Sequence, residues 1–250
     1  MRQPHLAVIS DLHLSTRASR ARQVLAYLDS IRPQTLVLAG DILDLFWSHR
    51  GYWPDSHQRV LDRILRHAAD GVEVVYLTGN HDGALNAHHG LDVGGMRLAR
   101  HFDCTLDGRR TLIIHGDQVP IRNRPPAWRV RVADSSYDHL LEVNGLTNRV
   151  TDLVGVRPWS LATWVKLAMP GVDAFMHEYR TAVASHAAAC GYQAVVCGHI
   201  HHPEIVPIAV GDKTVTYLNC GDWVEHASAL EYTDGAWTIR HQHDLRVAAA

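Results

Sequence analysis

Six short runs of aliphatic and β-branched residues constrain this chain more than any other feature, and most of them stop abruptly at Gly, Asp, His or Asn. They are Leu6–Ser10, Thr35–Gly40, Val72–Gly79, Thr111–Gly116, Ala194–Gly198 and Val215–Gly221. Apolar runs of this length, with little polar alternation, suit strands covered on both faces. A helical stretch, Ala18 to Ser30, separates the first two runs, and a second helix is expected at His57–Ala69, ended by Asp70-Gly71. Strand–helix–strand alternation predicts an α/β fold with parallel strands at its centre. The C-terminal stretch differs. Ala229–Thr233, then Asp234-Gly235, then Trp237–His241 reads as a hairpin and predicts a mixed or antiparallel edge.

Between His115 and Ala194 no clear strand pattern occurs. That segment opens with a loop, Val119–Pro126, and then reads as mostly helical, with breaks at Asn144-Gly145, Gly155, Arg157-Pro158 and Pro170-Gly171. It predicts a helical insertion over the strand ends, residues 119–190, within one domain spanning 1–250. The formal net charge of −2 gives no general reason to expect a nucleic-acid partner or an anionic membrane. The four cysteines form no C-x-x-C pair, the N-terminal apolar run is too short for a signal-peptide core, and no run reaches membrane-spanning length; a cytoplasmic protein is expected. Histidine is the compositional outlier at 19 copies, which favours metal chemistry because neutral imidazole is the commonest metal ligand.

Five local motifs sit at the ends of the apolar runs: Asp11-Leu12-His13, Gly40-Asp41, Gly79-Asn80-His81-Asp82, His115-Gly116-Asp117 and Gly198-His199-Ile200-His201. Each puts oxygen or imidazole donors just past the carboxyl end of a strand, where open α/β sheets gather their sites. Residues i and i+2 share a face of an extended backbone, so D-x-H and H-x-H can each converge two donors. Flanking glycines permit tight turns and close backbone approach. Singly, each motif reads more often as a turn or cap; it is the ordered set that is specific.

In that order the motifs resemble those of the calcineurin-like metallophosphoesterase superfamily, over residues 6–120 and 190–225. The resemblance implies a four-layer α/β/β/α sandwich of two mixed β-sheets. It also implies that Asp11, His13 and His201 hold one metal, that Asn80, His115 and His199 hold another, and that Asp41 bridges them. Such a pair, about 3.5–4 Å apart, clamps the oxygens of an in-line displacement and activates water. A mixed nitrogen and oxygen shell suits Mn²⁺, Fe²⁺ or Zn²⁺ better than Ca²⁺. His81, adjacent to Asn80, is better placed to donate a proton to the leaving oxygen, with Asp82 as a carboxylate that orients it or caps a turn.

Within the superfamily the chain is similar to the UDP-2,3-diacylglucosamine diphosphatase group of lipid A biosynthesis. The residues that carry this are Ile9–Leu14, Gly40–Trp47, Cys197–His201 and Asn219–Glu225. The group implies a phosphorylated glycolipid substrate, cleavage of a pyrophosphate, and contact with the inner-membrane surface. The chain departs from that group at His81, where its G-N-H-D replaces G-N-R-D. A general phosphodiesterase or phosphatase for nucleotides and small phosphoesters is the alternative reading; a non-catalytic metal-binding scaffold would be expected to lack ligands.

Weaker candidates divide between site and scaffold. Asp44 either hydrogen-bonds a ligating histidine or starts a helix. Asp117 and Asp222 follow glycines and read as turn residues, His202 points away from the H-x-H face, and His88-His89 read as solvated. In the insertion, Arg122, Arg124, Arg129, Arg131, Arg149, Arg157 and Lys166 grip phosphate or form a solvated face. The apolar stretch Trp159–Met169 lines an acyl groove, touches a membrane or packs on the core.

Overall fold

The computed structural model describes residues 1–45, 51–121 and 172–242. The segment 122–171, which holds the inserted cations and Trp159–Met169, and Trp47 lie outside the described residues.

Two mixed sheets form the centre. The first has β1 (Leu6–Ile9), β2 (Thr35–Ala39), β3 (Glu73–Leu77), β4 (Asp92–Val93), β5 (Met96–Ala99), β11 (Ser228–Thr233) and β12 (Ala236–His241), in the order β12-β11-β1-β2-β3-β5-β4. The second has β6 (Phe102–Leu106), β7 (Arg109–Ile113), β8 (Ala194–Cys197), β9 (Glu204–Val210) and β10 (Lys213–Asn219), in the order β6-β7-β8-β10-β9. Parallel pairing is confined to the inner strands, β1-β2-β3-β5 and β7-β8-β10, while β4, β6, β9, β11 and β12 pair antiparallel. The predicted hairpin is β11–β12, with Thr233 facing Ala236 across Asp234-Gly235.

The period-2 alternation of each inner strand assigns its side chains to layers. Leu6, Val8, Val37, Ala39, Val75 and Leu77 face Ile113, Ala194, Val196 and Leu218 of the other sheet. Their neighbours Ala7, Ile9, Leu36, Leu38, Val74 and Tyr76 face the opposite way, onto α1 (Ala21–Ser30) and α2 (Asp55–Ala69). On the far side, Leu112, Ile114, Val195, Cys197 and Tyr217 pack on α3 (Val172–Ala189) through Met176, Tyr179, Val183 and Ala187. The result is the α/β/β/α sandwich. Both strand faces are buried because both are covered, and each fully buried Leu, Ile or Val contributes about 1.5–3 kcal/mol.

The helices follow from their sequence. Val24, Tyr27 and Leu28 of α1, and Val60 and Ile64 of α2, recur at helical spacing and are the buried ones. Pro54 and Asp55 open α2, where a fixed φ and a carboxylate near the free N–H groups are favourable. The strands missed by the apolar-run reading, β4, β5, β6 and β9, are edge or near-edge strands. β4, β5 and β6 are short or polar-interrupted, and β9 is an apolar run broken by Pro207, a residue that argues against a strand interior.

Candidate active site

The motif residues follow the C-terminal ends of β1, β2, β3, β7 and β8, so both sheets deliver side chains to one edge of the sandwich. Past the strand ends, the first two segments keep pairing. Asp11 N–H donates to Gly40 O (3.0 Å), His13 N–H to Asp41 O (3.0 Å), Leu14 N–H to Ile42 O (3.0 Å) and Asp44 N–H to Leu14 O (2.8 Å).

Within this frame the donors do not lie on an extended backbone. Asp11 (φ 54°), His13 (φ 44°), Asp41 (φ 54°), His199 (φ 66°) and His201 (φ 54°) are all left-handed. Each such residue costs about 1–3 kcal/mol, and Asp and His tolerate the region better than most. The residue inside each D-x-H or H-x-H triplet is the anchor: Leu12 is fully buried and Ile200 nearly so. The shared direction of i and i+2, inferred from strand geometry, arises here from a tight turn about a buried aliphatic side chain.

Among the described residues three groups could each hold a cation: Asp11, His13 and His201; Asp41, His115 and His199; and His13, Asp44 and His81, which shares His13 with the first. Asp11 Oδ1 lies 3.1 Å from His201 Nε2 and 3.9 Å from His13 Nε2. Asp41 Oδ2 lies 3.3 Å from His115 Nε2, and its Oδ1 accepts the His81 N–H at 2.8 Å. Asn80 is exposed, with Oδ1 3.2 Å from His115 Nε2. His115 Nδ1 faces Ala39 O at 2.9 Å, which makes Nδ1 the protonated nitrogen and turns Nε2 toward Asp41. The His115 and His199 rings stand 5.1 Å apart, and those of His13 and His201 5.4 Å.

Electrostatics shows what the groups lack. Asp11, Asp41 and Asp44 are buried together. Burial pushes the Asp41 carboxyl up, but His115 beside it outweighs burial and holds it well below the usual carboxylate range. Burial likewise opposes ionisation of Asp44, yet its bonds to His13 and His81 bring it to about 2. Burial disfavours a charged His13, whereas Asp44, Asp41 and Asp11 raise it to about 9. His199 is pushed down to about 3 by burial and by the charge on His115. Among the described residues, the cationic partners of these buried carboxylates are imidazoles. Asp11 Oδ1 and His13 Nε2 have no aligned hydrogen-bond partner among the described residues. Clustered carboxylate and imidazole donors with orphaned, facing atoms fit divalent cations.

A model of the family described as calcineurin-like phosphoesterase matches residues 4–203. The chain belongs to the calcineurin-like phosphoesterase family. It is therefore a metal-dependent phosphoesterase, as its motifs implied. Similar proteins include the UDP-2,3-diacylglucosamine hydrolase of Aliivibrio fischeri (strain MJ11), 25% identical, with 95% of this chain and 98% of that protein covered. The hydrolase of the same name from Stenotrophomonas maltophilia (strain K279a) is 26% identical, with 92% of this chain and 96% of that one covered. Among solved structures, Yfce, a phosphoesterase from E. coli, aligns with a TM-score of 0.46 at 18% identity, covering 96% of this chain and 93% of that one.

Two carboxylates of this phosphoesterase take roles that the sequence left open. Asp44 reaches two imidazoles: its Oδ2 lies 3.2 Å from His13 Nδ1 and 2.8 Å from His81 Nδ1, while residues 46–50, in which a helix would follow it, lie outside the described residues. The carboxylate beside the His81 ring is therefore Asp44, and of the two roles open to Asp82 the structure shows the turn-holding one in place of orienting His81. The fully buried Asp82 carboxylate accepts from Ile42 N–H (3.0 Å), Tyr76 Oη (2.6 Å) and Gly79 N–H (2.5 Å). It ties the β3 turn to the β2 turn and faces away from the imidazole. Ser10 and Tyr76, which hold Asp11 and Asp82, were not singled out in the sequence because a hydroxyl beside an apolar run carries no metal-ligand signal of its own.

Of the other described candidates, Asp222 and His89 make scaffold contacts. Asp222 accepts from the Val224, Glu225 and His226 N–H groups and meets His226 Nδ1 at 2.5 Å, as a turn residue does. His89 bonds Thr78 (2.9 Å) and Arg100 (3.3 Å). His88, His89 and His202 join no metal-compatible group among the described residues.

Proposed function

We propose that this phosphoesterase uses two divalent ions to hydrolyse the pyrophosphate of a nucleotide-activated glycolipid, UDP-2,3-diacylglucosamine or a close relative. The observation that carries the reading is the pair of three-residue donor groups meeting at the ends of β1, β2, β7 and β8. Asp11, His13 and His201 would hold one ion, Asn80, His115 and His199 the other, with Asp41 between them, and Mn²⁺ suits this donor set foremost. Bound there, the ions supply positive charge to phosphoryl oxygens and acidify water. His81 is the proton donor. Its side chain is 27% exposed, and Asp44 at Nδ1 fixes the ring so that Nε2 serves the leaving oxygen. The relatives named for UDP-2,3-diacylglucosamine support the substrate class over nearly the whole chain. Of the 119–190 insertion, α3 packs on the second sheet as part of the core, so the segment we assign to the substrate's acyl chains, at the membrane surface of the cytoplasm, is the part ahead of α3.

Purified protein loaded with Mn²⁺ is expected to release UMP from UDP-2,3-diacylglucosamine, to lose turnover on EDTA treatment and to regain it with Mn²⁺. His81→Ala is expected to lower the rate by about 10²–10⁴. A fully metallated protein without UMP release removes the glycolipid reading. The general phosphodiesterase reading is favoured by His81 itself, since an imidazole donor serves many leaving oxygens. Turnover of bis(p-nitrophenyl) phosphate or a cyclic nucleotide far above that of the glycolipid would select it.

A further inference from the structure

Asp11 presents its two oxygens to different surroundings. Oδ2 accepts from Ser10 Oγ at 2.5 Å and from His199 N–H at 3.1 Å, whereas Oδ1 faces His201 Nε2 and His13 Nε2 and has no aligned hydrogen-bond partner. Ser10 is the last residue before the turn, fully buried, and has a single hydroxyl proton to spend. Three acceptors lie within its reach: Asp11 Oδ2, Gly221 O at 3.1 Å and Cys220 Sγ at 3.0 Å. The carboxylate is the only charged one and the closest, so it takes the proton. Cys220 has its own acceptor in Cys197 O at 3.2 Å. Gly198 closes the arrangement from the second sheet, where a Cβ would overlap both Ser10 Oγ and Asp11 Oδ2.

We propose that Ser10 is a positioning residue: by occupying Asp11 Oδ2 it reserves Oδ1 as the single oxygen offered to the ion between Asp11, His13 and His201. This rests on the metal-site reading given above. Without the hydroxyl, Oδ2 keeps only the backbone N–H, and the carboxylate can rotate or offer both oxygens. Outer partners of metal ligands are worth about 10–100-fold in affinity.

The test is Mn²⁺ titration of metal-free, full-length protein, read by the EPR signal of free Mn²⁺, for wild type, Ser10→Ala and Cys220→Ala. Both variants thin the same buried cluster, but only the first removes the bond to Asp11. Ser10→Ala is expected to weaken one of two Mn²⁺ sites about tenfold and leave the other within twofold. Cys220→Ala is expected to leave both within twofold. Equal affinities for Ser10→Ala and wild type, or equal losses in the two variants, overturn the assignment. Wild-type protein that binds no Mn²⁺ instead overturns the metal-site reading. Where Ser10→Ala does not fold, Ser10→Cys keeps a weak donor in place; an affinity between wild type and a tenfold loss supports the role, and wild-type affinity refutes it.

Discussion

Replacing Asp44 by Asn keeps the shape of the side chain and removes its charge. Asp44 Oδ2 serves two imidazoles, His13 Nδ1 at 3.2 Å and His81 Nδ1 at 2.8 Å. A hydrogen bond with a charged partner contributes about 1.5–3 kcal/mol, against about 0.5–1.5 for a neutral one. Each imidazole therefore loses about 1 kcal/mol, and the pair about 2 kcal/mol. At 1.36 kcal/mol per tenfold, kcat/KM should fall about 30-fold. The assay is a double-mutant cycle with His81→Ala under saturating Mn²⁺. In that background only the His13 share remains, so Asp44→Asn should cost about fivefold. Asp44→Asn within twofold of wild type would refute the reasoning. A full 30-fold loss persisting without His81 would show that Asp44 acts through His13 alone.

Other expectations follow from buried groups around the site. His57 accepts the Ser15 N–H at 3.0 Å, and burial lowers its pKa to about 4. The unfolded chain takes up this proton near pH 6.5 and the folded one only near 4, so stability is complete above 6.5, declines as pH falls towards 4 and then levels off. Urea unfolding at pH 7.5 and 4.5 should show wild type losing about 1–3 kcal/mol more than His57→Gln. Asp82→Ala leaves Ile42 N–H, Gly79 N–H and the Tyr76 hydroxyl without their acceptor, and should cost about 3 kcal/mol or more in urea unfolding; a loss under 1 kcal/mol would show that the carboxylate does not hold the turn. Gly198→Ala places a methyl against Ser10 and Asp11 and should cost about 1–3 kcal/mol. The comparison is Gly83→Ala, whose Cβ meets nothing closer than 3.5 Å and should stay within about 0.5 kcal/mol. Equal thermal shifts in the two variants would contradict the packing argument.

Much of this protein was written in local order. The apolar runs marked the inner strands, because a strand covered on both faces needs no polar alternation. Glycine and charged or imidazole residues at their ends marked the site, because a turn and a donor set there draw on few residue types. Val60 and Ile64 marked the buried face of α2, and Asp234-Gly235 the hairpin turn. Edge strand β6 escaped because polar residues interrupt it, and edge strand β9 because Pro207 breaks its apolar run.

What only the tertiary structure decided concerns side chains distant along the chain. The sequence offered Asp82, next to His81, as its orienting carboxylate or a turn cap, and Asp44 as a partner of a ligating histidine or a helix start. Folding turned the Asp82 carboxylate inward to Ile42, Tyr76 and Gly79 and brought Asp44 to the imidazole. It likewise set Ser10 against Asp11 beneath Gly198, a contact between two sheets that no local pattern encodes. Residue type and order determine which donors exist. The direction in which each one points is settled by left-handed turns about Leu12 and Ile200, and those turns persist because the packed core holds their aliphatic anchors.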